Sequence, residues 1–162
     1  KLKKNELGKC QILKKGSDVT LIGLSYMTLE CIEAAKILTK FKINAEIIDL
    51  KTVSPLDQKT IISSLKKTKR ALVTDTSNNF CGISSTVASI IYQNINNLKS
   101  KVEIVSLPFC PEPTSYKLVK HFYNDRFTIV NKVLKMFKIN KKIKRNRSVK
   151  PDVPGEWFKG PF

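Results

Sequence analysis

Few side chains in this sequence could carry chemistry. One histidine, His121, and four cysteines, Cys10, Cys31, Cys81 and Cys110, are spread over 162 residues, with no C-x-x-C pair. A structural zinc needs closely spaced thiolates or imidazoles, so no metal site is expected. A nucleophilic triad would have to use His121, which lies in "LVKHFYN" and reads as an ordinary helix histidine. Phosphate-cradling loops of the G-x-x-x-x-G-K-[ST] or G-x-G-x-x-G kind are absent, and the acids are scattered without an obvious carboxylate pair. Disulfide frameworks belong to short exported chains, so four free thiols are expected, with Cys31 a small apolar residue on a helix face. The sequence therefore offers no catalytic residue, and no cofactor or metal ligand, in this chain.

What stands out instead is a set of turn and cap residues. In "LKTVSPLD" (50–57), Pro55 forbids the preceding strand from continuing. Asp57 is placed to accept free N–H groups of the next helix, worth about 1 kcal/mol. Three prolines in "PFCPEP" (108–113) predict a fixed loop, with Pro113 able to start a helix. Thr52, Pro55, Asp57, Gly82, Phe109, Pro111, Pro113 and Tyr116 are the structural and interface candidates. They fix loops at strand ends, where open parallel sheets present binding surfaces. Phe109, Tyr116 and the loop near Asn79 are the candidates for contact with another domain.

The elements that hold these residues follow from apolar spacing. "DVTLIGL" (18–24), "NAEIIDL" (44–50), "RALVTDT" (70–76) and "VEIVSL" (102–107) are short, β-branched strand patterns. Between them, "YMTLECIEAAKILTKF" places Met27, Cys31, Ala34, Ala35, Leu38 and Phe41 at helical spacing. Ser25 or Thr28 is expected to cap it, with Glu30 and Glu33 near its positive end. Further helices are expected over about 57–67, from Gly82 to about Ile95, and through Phe127, Val130, Val133, Leu134 and Phe137. Such alternation predicts an α/β fold: three layers, a mostly parallel five-stranded sheet with helices on both faces, and one antiparallel edge strand. The edge is assigned to "KCQILKK" (9–15), whose lysines discourage edge-to-edge pairing.

The net charge is +17, which points toward a polyanionic partner. Heavy joint use of Lys, Asn and Ile also fits a biased composition with solvated lysine faces. Residues 138–150 hold seven basic residues and no acid, so this run is expected to be extended unless neutralised. The last segment, "DVPGEWFKGPF", carries Trp157, Phe158 and Phe162 and is expected to dock on a surface. No apolar run reaches the roughly 18 residues of a membrane helix, and no apolar secretory core opens the chain. A cytoplasmic or organelle-matrix setting is expected. Residues 1–7 read as a linker, 8–137 as the domain and 138–162 as the tail.

Strand, "LKTVSPLD" and helix together resemble the C-terminal domain of the transketolase superfamily. The likeness is strongest to the beta subunit of thiamine-diphosphate-dependent 2-oxo acid dehydrogenases. That family reads as an aliphatic strand, Arg or Lys, Thr, two residues, Pro, a hydrophobic residue and Asp. Lys51, Thr52, Pro55, Leu56 and Asp57 follow it in order. The stretch from Gly8-Lys9 to Leu38, "KTKRALVTDT" ending near Asp75, "FCGISSTVASII" and "PFCPEPTSYKLVKHF" fall in the same order over roughly 8–137. The chain departs from the family at Cys81-Gly82-Ile83-Ser84-Ser85, where paired glycines and Gly-Ala-Glu are usual, and in the basic tail.

The resemblance implies a scaffold and interface domain, not an active site. It places thiamine diphosphate and magnesium in the holoenzyme's other domains or subunits, which would be this chain's partners. It also implies a homo- or hetero-oligomer and contact with an acyltransferase core. The alternative is a basic α/β module that binds RNA or an acidic protein.

Overall fold

The computed structural model describes residues 6–115, 118–119 and 122–144. Tyr116, His121, Trp157, Phe158 and Phe162, named above, lie outside the described residues. Five strands form one sheet: β1 (Gln11–Lys14), β2 (Val19–Gly23), β3 (Ala45–Asp49), β4 (Ala71–Asn78) and β5 (Glu103–Leu107). Their order is β1-β3-β2-β4-β5. The pairs β2/β3, β2/β4 and β4/β5 are parallel, and β1 lies antiparallel to β3 at one edge, as its pattern predicted.

Four helices cover the sheet: α1 (Tyr26–Thr39), α2 (Gln58–Thr68), α3 (Ile83–Asn94) and α4 (Arg126–Met136). Successive strand residues face opposite sides, so each strand feeds two cores. Leu21, Ile47, Leu72 and Val105 meet Cys31, Leu38, Ile129 and Val133 of α1 and α4 on one face. Ile22, Ile48, Ala71 and Val73 meet Ile61, Leu65, Val87 and Ile91 of α2 and α3 on the other. All five residues of β2 are buried, as expected of a central strand covered on both faces. Thr20 remains polar there because its hydroxyl pairs with that of Thr68 at 2.7 Å.

Three local expectations are corrected. Ser25 occupies the position before α1, but its side chain makes no cap bond, and its φ is 54°. Thr28 instead turns inward, donating from Oγ1 to Asp49 Oδ1 at 3.3 Å. Glu30 does not serve the helix dipole: it is buried and takes Arg126 as partner, with Glu33 beside the same guanidinium at 3.8 Å. Pro113 does not start the next helical turn. It lies in coil, and the carbonyl that accepts from the N–H groups of Leu118 and Val119 is that of Ser115.

The segment after α4 also stays on the domain as far as it is described. Lys138 is left-handed, with φ 57°, and turns the chain back. Ile139 and Ile143 pack against the α1/α4 core. Asn131 fixes the return: its Nδ2 donates to Ile143 O at 2.9 Å, and Ile143 N donates to its Oδ1 at 2.8 Å. Packing thus carries past the boundary drawn at Lys138, because two isoleucines interrupt the lysines at a spacing that reaches the core.

Candidate functional site

Because β2 to β5 run parallel, the loops after β2, β3, β4 and β5 emerge at one end of the sheet. The sequence-predicted residues fall there in two groups.

The first group surrounds the turn after β3. Asp57 is buried just ahead of α2 and accepts from Thr60 N at 3.2 Å and Thr60 Oγ1 at 2.7 Å. Its second oxygen also accepts from Cys10 N at 3.1 Å, tying the chain ahead of β1 to the helix. Burial raises the Asp57 pKa, but the bonds from Thr60 and Cys10 and the nearby Lys9 ammonium outweigh it and hold it low. Thr52 Oγ1 donates to Pro55 O at 3.2 Å, closing the loop on itself. Gly8 has φ +73°, and a Cβ there would lie 2.7 Å from Pro55 Cγ, so this glycine is required by both torsion and space. Cys10 sits half-buried beside these acids. Burial first, then Asp57, pushes its thiol up to about 11, so it is a thiol and not a nucleophilic thiolate at neutral pH.

Beside this turn lies a cleft of about 580 Å³ lined by Leu7, Leu24, Ser25, Asp49, Lys51 and Thr52. Asp49 Oδ1 is already engaged, accepting from Thr28 Oγ1 and from Lys51 N at 3.2 Å.

The second group spans the loops after β4 and β5. Gly82 precedes α3, and a Cβ there would stand 2.2 Å from Asn78 O and 2.6 Å from Ser77 Oγ. Asp75, buried within β4, accepts from Ser77 N at 3.2 Å and Ser84 N at 3.0 Å, so it braces the loop. Asn79 N donates to Leu107 O at 3.0 Å, drawing the two loops together. Phe80 and Phe109 then meet with ring centroids 5.1 Å apart while remaining 65% and 70% exposed. Pro111 is exposed and Pro113 half-buried in the following coil. Sequence reasoning singled out Phe109 but missed Phe80. Its signal was a lone aromatic in the polar run "TSNNFCG".

The residues at this end do not fit a magnesium diphosphate. Asp57 and Asp75 spend both oxygens on hydroxyl and backbone donors, and Asp49 spends its Oδ1 on two of them. Among the described residues no group of three or more His, Cys, Asp or Glu could hold a metal. The arrangement is chemically one of caps and braces, with an apolar aromatic pair displayed outward.

Residues 8–127 match the family described as "Transketolase, C-terminal domain", and the chain belongs to that family. It is 38% identical over 130 residues to "Pyruvate dehydrogenase E1 component subunit beta" of Rickettsia bellii, covering 80% of this chain and 40% of that one. It is 37% identical over 109 residues to "Acetoin:2,6-dichlorophenolindophenol oxidoreductase subunit beta" of Cupriavidus necator, covering 67% and 32%. Among solved structures, "Split gene transketolase, inactive beta4 tetramer" superposes with a TM-score of 0.72 at 24% identity, over 85% of this chain and 44% of that one. That likeness shows the fold. This chain therefore spans two fifths or less of the length of these two curated relatives. Among the described residues no helix is long and apolar enough to cross a membrane.

Proposed function

We propose that this chain supplies the non-catalytic scaffold and interface part of a thiamine-diphosphate-dependent 2-oxo acid dehydrogenase of the pyruvate dehydrogenase beta-subunit kind. The observation that carries this reading is the exposed Phe80–Phe109 pair, built on loops that Asp75, Gly82 and Asn79 brace. Two large aromatic faces held side by side in water favour burial against a partner, and aromatics are the residues enriched in interface centres. The occupant is the cofactor-binding domain or subunit of the same enzyme, matching the remaining length of the relatives. The cofactor and its metal belong to that partner, a reading supported by Asp57 and Asp75, whose oxygens are spent on structure. Contact with an acyltransferase core and the cytoplasmic or matrix setting rest on the family resemblance.

The test is affinity purification of the tagged chain from its source cells at low salt, with mass spectrometry of what accompanies it. The reading expects a chain bearing Gly-Asp-Gly and a downstream Asn, or the tag on one longer polypeptide that carries both. Phe80→Ser with Phe109→Ser should release a separate partner. Recovery without any thiamine-binding chain, or association unchanged in the double variant, would overturn it.

A further inference from the structure

The end of α4 and residues 138–142 form a shaped cradle. Asn131, Lys135, Lys138, Ile139, Asn140, Lys141 and Lys142 line a concavity of about 460 Å³, within the size range of small-molecule sites. Its floor is fixed, since Ile139 and Ile143 are packed and Asn131 clamps the backbone of Ile143 from both sides. The lysines at 135, 138, 141 and 142 are all exposed.

Two ordinary explanations for such a cluster fall short. Lysines often gather at a helix C-terminus to meet its free carbonyls. Here three of the last four carbonyls are already taken: Val133, Leu134 and Lys135 accept from the N–H groups of Phe137, Ile139 and Lys138. Surface lysines are also often balanced by acids. The ion pairs of this domain use Glu30, Glu33, Glu46 and Glu103 with Arg126, Lys36, Lys67 and Lys132, and none reaches the cradle among the described residues. Among the described residues Lys141 has a ring partner there, its ammonium standing 5.4 Å from the centre of the Phe41 ring. The result is four gathered positive charges in a concave, anchored setting.

We propose that this cradle is a binding site for a compact polyphosphate, an anion with several phosphate groups close together. Ammonium groups are phosphate partners through point charge, and four around one concavity match clustered oxyanions better than a single carboxylate. The Asn140 carboxamide adds a neutral donor at the rim. The phosphates could belong to free polyphosphate or to a nucleotide's polyphosphate chain, a shared chemistry at one site.

Isothermal titration calorimetry of the full chain with sodium tripolyphosphate, and separately with ATP, tests this. Tripolyphosphate should bind one per chain, more weakly as salt is raised. Lys138→Ser with Lys141→Ser should weaken it by about tenfold or more. Lys59→Ser with Lys66→Ser on α2, which removes equal charge from the opposite face, should change it little. Ile143→Ser removes the anchor without touching charge and should also weaken binding, whereas diffuse attraction would ignore it. ATP competing with tripolyphosphate would place the ligand among nucleotides, and tripolyphosphate alone binding would place it among free polyphosphates. No measurable binding, or equal losses in the two double-lysine variants, would overturn the proposal. So would single-stranded RNA binding that tripolyphosphate does not displace.

Discussion

Arg126 holds Glu30 from three nitrogens at once. Its backbone N donates to Glu30 Oε2 at 2.6 Å, its Nε to the same oxygen at 3.1 Å, and its Nη2 to Oε1 at 3.3 Å. One carboxylate thereby fastens the start of α4 onto α1 across 96 residues of sequence, with Tyr26 Oη donating to it from one turn earlier at 3.2 Å. Glu30 is 1% exposed, so the pair is satisfied but intolerant of losing one member.

Arg126→Ala should therefore be strongly destabilising, by about 3–5 kcal/mol, because it leaves a buried carboxylate short of its partner. Glu30→Gln should cost less, since a carboxamide oxygen still accepts the Arg126 N–H. Urea unfolding of the two variants checks the order; equal, small losses would mean that water reaches Glu30.

Asp57→Ala should cost about 1–2 kcal/mol as the loss of a helix cap that also holds Cys10. The folded pKa of Asp57 is held below its unfolded value, so its ionisation contributes stability that is present above roughly pH 4 and lost as pH falls through the folded pKa. Melting temperatures across that window should fall more steeply for the unaltered chain than for Asp57→Asn. Parallel curves would show that other carboxylates govern the acid limb.

Thiol labelling should separate the four cysteines. Cys81 and Cys110 are exposed and should react first with a disulfide reagent at about pH 8. Cys10, pushed up to about 11 by burial and Asp57, should follow slowly. Cys31 is fully buried, its thiol raised by burial and then by Glu30, and should react only on unfolding. Four equal rates in the native protein would contradict this packing.

Gly82→Ala should destabilise by about 1–3 kcal/mol, the cost of forcing an extra methyl against backbone. The new Cβ would lie 2.2 Å from Asn78 O and would part the Asn79–Leu107 contact that gathers the two phenylalanines. Chemical denaturation measures the loss, and the near-ultraviolet circular dichroism of the aromatic pair should weaken with it.

Much of this was legible in the sequence, and most of the exceptions share a cause. The strands and helices were readable because β-branched runs and 3.6-residue spacing are local signals, and Asp57 because a cap acts within three residues. The edge position of the first strand followed from its lysines. Glu30 and Arg126 were not readable because their partners lie on other elements, and Ser25 because its left-handed φ keeps it from capping. Local rules assigned Ser25 and Glu30 to the helix end, while burial assigned Glu30 to a distant guanidinium. Phe80 was missed for the same reason, since its exposure has meaning only beside Phe109. The return of residues 139–143 depended on Asn131, one helix earlier, which no charge count could reveal.

The stretch matching the family ends at residue 127, one residue after α4 begins. Yet Ile129, Val130, Val133 and Leu134 are fully enclosed and roof the sheet over Leu21, Leu72 and Val105. The stretch that matches the family and the stretch that closes the core are therefore different lengths of chain. Anyone excising or transplanting this domain by its family borders would remove the lid and keep the box. Packing against this core runs on to Ile143, where Asn131 latches the chain.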